Sequence, residues 1–311
     1  MTPVDNLCHT LIGAAFGEAG LKDRTRFGNP VLMIAANLPD VDALVFATGA
    51  PSVVFRRGWT HGLLAQALLP IAFTGVILCV DRLWPPRGLS RLRTRAEWLL
   101  VLSYLGVLSH VALDLLNNYG VRLLMPFSHR WFYGDAVFIV DPWLWLTLGF
   151  GILFARRRAR RAPARVALTV AGAYIAAMLW SAAAARQVVR DAWRTGHEQT
   201  PRKLMVGPVP INPLRKTIIV DLDDRYETGT FKWWPHEVRF DDGTIQKREA
   251  DPAVRQASRT PIFRAILRWA RFPYYEIEPA DGATRVTVRD LRFGARLGQA
   301  SVIVSRDIQW P

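Results

Sequence analysis

The chain has 311 residues, half of them hydrophobic, with 12 Trp and a formal charge of +14, a balance that predicts a membrane protein with basic flanking loops. Its two cysteines, Cys8 and Cys79, both lie in apolar context and exclude a disulfide framework and a cysteine zinc cluster. The basic charge is weak support for nucleic-acid binding, because the arginines fall in span-flanking loops rather than on a patterned recognition element, and no nucleic-acid partner is expected.

The first residues lack the basic flank, apolar core and small-residue cleavage site of a secretory signal, so insertion is expected to use internal spans. Segments 7–21 and 31–48 are apolar but short or interrupted, the second by Asn37, Pro39, Asp40 and Asp42. They read as re-entrant or broken helices, which are tolerated around a protein-walled cavity. The runs 63–80, 98–116, 137–155 and 166–185 are each near the length needed to cross about 30 Å of hydrocarbon. Loop 82–95 holds five arginines and loop 156–165 six, and the positive-inside rule makes both cytoplasmic. Segment 117–136 is then extracytoplasmic.

Up to Arg186 there are 19 Lys or Arg against 10 Asp or Glu; the remainder carries 21 against 16 and has no long apolar run. This shift predicts a helical membrane domain over 1–186 and a soluble domain over 187–311. In the latter, alternating runs at 217–222, 237–240, 274–278, 285–289 and 300–308, with turn dipeptides Asp242-Gly243 and Asp281-Gly282, predict an antiparallel sheet with one helix at 261–270. If the last span runs outward, this domain is extracytoplasmic. Trp233 and Trp234 then serve either as an anchor at the membrane surface or as core residues. The predicted fold is a mostly α membrane protein, a polytopic helical bundle with a C-terminal antiparallel β-rich (α+β) domain.

The polar residues embedded in apolar surroundings are His9, Asp40, Asp42, His61, His110, Asp114, His129, Asp135 and Asp141. An ionisable residue inside a span costs a few kcal/mol and is therefore a functional candidate. His110 and Asp114 are four residues apart and share one helix face, as a metal-ligand pair does. The pair alone reads equally well as a hydrogen bond that packs two helices. Histidine and aspartate without thiolate suit zinc, or iron and manganese where carboxylates dominate. The two carboxylates of L-P-D-V-D can bridge metals or cap the next helix. The topology gathers all these groups on the outer side of the bilayer.

The strings H-T-L-I-G, L-P-D-V-D, R-R-G-W-T-H-G-L, L-S-H-V-A-L-D-L-L-N-N-Y-G and P-F-S-H-R-W-F-Y-G-D-A-V-F-I-V-D-P resemble the YdjM-like family of bacterial membrane-bound metal-dependent hydrolases over about residues 1–190. The spacing is also similar to a stripped version of the zinc-dependent phospholipase C and single-strand nuclease fold, although the second H-x-x-x-E pair of that fold is absent. This similarity implies metal binding by His9, Asp40 or Asp42, His61, and His110 with Asp114. One or two metals are expected, with His129, Asp135 or Asp141 available to complete the shell.

The expected protein is thus an inner-membrane hydrolase that uses a divalent metal, zinc first, on a phosphoester or ester of a lipid or lipid-linked substrate. His9, Asp42, His61, His110 and Asp114 are the first choices as ligands, and Asp40 is the general base or a second metal bridge. Arg56, Arg57 and Arg130 are expected to clamp a phosphate or to meet lipid head groups. Thr60 and Asn117 would support the ligands by hydrogen bonds. Two alternatives stand beside this: a non-catalytic scaffold or regulator with a structural metal, and a transporter. The second needs a polar path across the bilayer, whereas the ligands collect on one side.

Overall fold

The computed structural model describes residues 5–48, 56–84, 92–280, 282–296 and 299–305. Contacts divide it into two compact units, which part within one long helix between Ser181 and Ala182.

The first unit is helical. α1 (Asn6–Glu18) begins at Asp5, whose side chain accepts the Cys8 N–H at 3.0 Å and so satisfies one of the unpaired donors of the first turn. α2 (Gly28–Ala35) stops early and a 3-10 helix, Leu38–Thr48, follows it; the expected break in 31–48 falls between them. Then come α3 (Leu63–Leu83), α4 (Ala96–Leu115), α5 (Pro142–Arg157) and α6 (Ala162–Gly196). α3, α4 and α6 are long and apolar enough to cross a membrane. Leu64, Leu68, Ile71 and Val76 of α3 are exposed, a face that water would penalise and lipid would not.

The run 137–155 is not a single span. Asp141 caps α5 by accepting the N–H groups of Trp143 and Leu144, and Pro142 sits in the first turn, so the helix starts there. Its 16 residues rise about 24 Å, short of the hydrocarbon thickness. α2 packs on α4 through Val31, Leu32, Leu99 and Leu102.

The second unit takes Ala185, Val189 and Trp193 of α6 into a core with Val206, Ile218, Val220 and Phe231. Those strands belong to an antiparallel sheet in the order β1 (Lys203–Pro208), β2 (Arg215–Asp221), β3 (Arg225–Lys232), β4 (Glu237–Gln246). Two short helices, α7 (Pro252–Ala257) and α8 (Pro261–Leu267), lead to a second antiparallel sheet of β5 (Pro273–Ala280), β6 (Ala283–Asp290) and β7 (Ala300–Ser305). Phe263 and Ile266 pack there on Tyr275, Val286 and Val288.

The second unit corrects two sequence expectations. Asp242-Gly243 is not a turn between strands but lies inside β4: Glu227 pairs with Thr244 and Gly229 with Phe240, so residues 241–243 bulge opposite Thr228. Helical sequence at 252–257 forms α7 ahead of the one helix that was expected. Gly282, at φ +77°, turns β5 into β6 between the paired Ala280 and Ala283, while Asp281 and the end of 300–308 lie outside the described residues.

Candidate metal centre

Four segments of the helical unit converge on one point. α1 supplies His9, the 3-10 helix Asp40 and Asp42, the turn before α3 Arg56, Arg57, Thr60 and His61, and α4 His110 and Asp114. The Nε2 atoms of His61 and His110 are 3.1 Å apart. Asp114 Oδ2 lies 3.3 Å from His61 Nε2 and 3.5 Å from His110 Nε2, and Asp40 places Oδ1 3.9 Å from His61 Nε2 and Oδ2 3.9 Å from His110 Nε2. One ligand atom from each of Asp40, His61, His110 and Asp114 lies within 4.8 Å of the others, and all four residues are buried.

Each ring is held from behind. His110 Nδ1 is 2.7 Å from the Ala36 carbonyl oxygen. A carbonyl only accepts, which assigns a proton to Nδ1 and, in the neutral ring that a metal needs, leaves the lone pair on Nε2. This contact needs α2 to lie close on α4, and Gly106 permits it: a Cβ there would meet the Ala35 Cβ at 2.6 Å and the Ala36 nitrogen at 2.9 Å. His61 Nδ1 faces Asp42 Oδ2 at 3.5 Å and Thr60 Oγ1 at 2.9 Å. Asp42 Oδ2 in turn accepts the Arg57 N–H at 2.8 Å and the Thr60 hydroxyl at 2.9 Å. Asp42 therefore stands behind His61, and Asp40 stands in front of it.

The charges around this point favour a cation. Asp40, Asp42 and Asp114 face two buried guanidiniums. Arg56 Nη2 donates to Asp40 Oδ1 at 3.3 Å, and Arg57 Nη2 donates to Asp114 Oδ1 at 2.7 Å. Arg57 Nη1 also donates to Asn117 Oδ1 at 3.0 Å, and its guanidinium covers the Tyr119 ring at 4.6 Å. Its backbone is in the left-handed region, φ +50°, a conformation that costs a non-glycine residue about 1–3 kcal/mol and that clusters at functional sites. Asp114 Oδ2, by contrast, is buried and accepts no hydrogen bond. Such an orphaned oxygen is expensive unless a cation meets it. Two imidazole lone pairs, this oxygen and the Asp40 carboxylate form a donor set that fits a divalent metal of the zinc, iron or manganese kind.

The other predicted residues fall around the four or away from them. His9 stacks on His110, ring centroids 3.8 Å apart, with its Nε2 3.7 Å from Asp114 Oδ1. Asn117 and Thr60 support the centre, as expected of them. His129 and Arg130 are exposed, and the Arg130 guanidinium lies over Phe132. Asp135 is buried outside the cluster, and Asp141 is engaged in capping α5 and in accepting the Tyr174 hydroxyl at 2.8 Å. The role of the Ala36 carbonyl has no counterpart among the sequence motifs, since a backbone acceptor leaves no residue-type signal. Beside the centre, a groove of about 630 Å³ is lined by Met33, Ile34, Leu38, Val41 and Leu44, with Asp40 in its wall.

Fold and site together define a helical membrane protein that carries a buried two-histidine, two-aspartate cluster able to hold a metal ion, followed by a β-rich domain. The chain belongs to the YdjM inner membrane protein family, which matches residues 4–185 and so includes every residue of the centre. A Bacillus subtilis (strain 168) protein described as uncharacterized protein YfhP is 25% identical over 153 residues, which span 46% of this chain and 44% of that protein. No solved structure matches the chain.

Proposed function

We propose that this protein is a multi-pass metal-dependent hydrolase that cleaves an ester or phosphoester of a lipid or lipid-linked substrate, with zinc as the first-choice metal. The observation that carries the reading is the convergence of the His61 and His110 Nε2 atoms and Asp114 Oδ2 beside an apolar groove that has Asp40 in its wall. A metal held by these residues supplies Lewis acidity and lowers the pKa of a water toward about 7.

The remaining chemistry belongs to the chain. Arg57 occupies Asp114 Oδ1 and leaves Oδ2 turned to the histidines. Arg56 orients Asp40 through Oδ1 and leaves Oδ2. Asp40 is the carboxylate that faces both the groove and the cluster, so it is assigned to take a proton from the attacking water and return it to the leaving oxygen. The groove walls receive apolar chain while the reacting ester sits at Asp40. Loop 82–95, with its five arginines, joins α3 to α4 at the ends away from His61 and His110, and by the positive-inside rule it supports an extracytoplasmic position for this centre.

A structural metal is the second reading, and one observation favours it: four buried protein donors is also the count of a closed zinc site. Metal-loaded protein in mixed micelles, assayed on lipid esters and phosphoesters alongside X-ray absorption of the bound metal, separates the two. Turnover that needs the metal and is lost in His110→Ala supports the hydrolase. Four protein donors with no water ligand, and no turnover of either lipid class, would leave the structural role.

A further inference from the structure

The first sheet of the C-terminal unit ends in a feature that the metal centre does not use. In an antiparallel order β1-β2-β3-β4, the β1–β2 and β3–β4 links lie at the same end of the sheet. The Trp233 N–H donates to the Leu214 carbonyl at 2.9 Å and ties the two tips together. There the chain exposes Ile211 at 66%, Leu214 at 51% and Trp234 at 84%.

This tip is not explained by folding. Ile211 has φ +67°, held by the Asn212 N–H donating to the Pro210 carbonyl at 2.7 Å. A β-branched residue is strained in the left-handed region, where glycine or asparagine is the ordinary choice. Its side chain, 66% exposed, recovers little by packing. Pro208, Pro210, Pro213 and Pro235 leave few backbone N–H groups to satisfy in these links. Across 208–216 and 232–239, the exposed cations are Arg215 and Arg239, while Lys216 is buried and Lys232 pairs with Glu237, the one acid in these segments, at 2.7 Å. Tryptophan with aliphatic residues at a donor-poor tip, bordered by cations, is the composition that partitions into a bilayer interface.

We infer that the paired β1–β2 and β3–β4 tips, through Ile211, Leu214 and Trp234, insert into the head-group region of a lipid bilayer. The chain itself brings that partner near. Only residues 197–202 separate β1 from α6, a helix apolar enough to span. Ala185 of α6 shares a core with Phe231, at whose margin Trp233 packs. A tethered surface meets its partner at high effective concentration, so a small apolar tip suffices. This inference does not depend on hydrolysis.

The test uses the full chain, with Cys8 and Cys79 replaced by alanine, reconstituted in vesicles of zwitterionic and anionic phospholipid. An environment-sensitive fluorophore is attached at Trp234→Cys, Leu214→Cys or, on the opposite end of the sheet, Asp224→Cys. The tip labels are expected to emit to the blue of the Asp224 label, to be quenched several-fold more by doxyl lipid of head-group depth, and to resist iodide. Equal iodide access at all three positions overturns the proposal. So do tip labels shielded from iodide yet untouched by doxyl lipid, which means that protein covers the tip. Because the labels sit on exposed positions, vesicle incorporation and gel filtration identify any variant that has not folded.

Discussion

His61 and His110 bring their Nε2 atoms to 3.1 Å from one another, and each ring is held from behind by an acceptor, the Thr60 hydroxyl oxygen, backed by Asp42, for the first and the Ala36 carbonyl for the second. With both rings neutral, acceptors at both Nδ1 atoms leave two Nε2 lone pairs facing each other, an arrangement that a shared cation stabilises.

The purified protein is therefore expected to bind a divalent metal, and His61→Ala, His110→Ala and Asp114→Ala each to abolish the binding, while His129→Ala, at an exposed position, retains it. Ligand that binds only the folded state adds about 2.7 kcal/mol at a hundredfold excess over Kd, so a chelator should lower the unfolding temperature of wild type and leave His110→Ala unmoved. Elemental analysis and thermal unfolding read both. Equal metal content in wild type and all three variants would remove the centre.

Asp42 has a different expectation from Asp40. It meets His61 at Nδ1, the nitrogen turned away from the cluster, and is itself fixed by Thr60 and by the Arg57 N–H. Loss of such a supporting carboxylate costs about 10–100-fold in metal affinity without ending binding. Competition titration of Asp42→Asn with a chelating dye checks this. A loss as complete as that of His110→Ala would make Asp42 a ligand.

How far the sequence announced this site follows from what each residue type reveals. His61, His110 and Asp114 are ionisable groups in apolar runs, and the cost of burying them marked them out before any geometry was known. The i, i+4 spacing also placed His110 and Asp114 on one face, as found. The order of Asp40 and Asp42 was not legible, since residues two apart in a tight helix diverge by an angle that depends on whether the turn is α or 3-10. The bulge at Asp242-Gly243 was illegible for a related reason: the same dipeptide serves a hairpin turn or a bulge, and the pairing of β3 decides which.

Gly106 gives a prediction in the packing that holds His110. Even alanine places its Cβ 2.6 Å from the Ala35 Cβ and forces α2 away from α4, whereas Gly75 on α3 has open space. Overpacking of this kind costs about 1–3 kcal/mol, and the shift also lengthens the His110–Ala36 contact. Gly106→Ala is expected to lower both the unfolding temperature and the metal affinity, and Gly75→Ala to change neither by much. If Gly106→Ala binds metal as wild type does, the Ala36 carbonyl is not what orients His110.

The C-terminal unit has its own buried ion pair, and its pH dependence has a definite sign. Asp290 is fully buried. Burial alone would raise its pKa, but Arg292, which donates through Nη2 at 2.8 Å and through Nε, together with the Arg271 and Arg292 N–H groups, holds it below the ordinary value of 3.8. A carboxyl whose folded pKa lies below its unfolded one contributes stability that is fully present above the unfolded value and is lost as pH falls through the folded value. The loss is therefore expected to begin as the pH drops toward about 4, where a free aspartate titrates, and to continue below it. Asp290→Asn removes that dependence and leaves Arg292 buried without its partner charge, at a cost of about 3–5 kcal/mol at neutral pH. Near-ultraviolet circular dichroism of the full chain, melted between pH 7 and pH 3, compares the two: the midpoint difference between wild type and Asp290→Asn should shrink as the pH falls. Parallel curves across that range would mean that Asp290 is not the group that titrates.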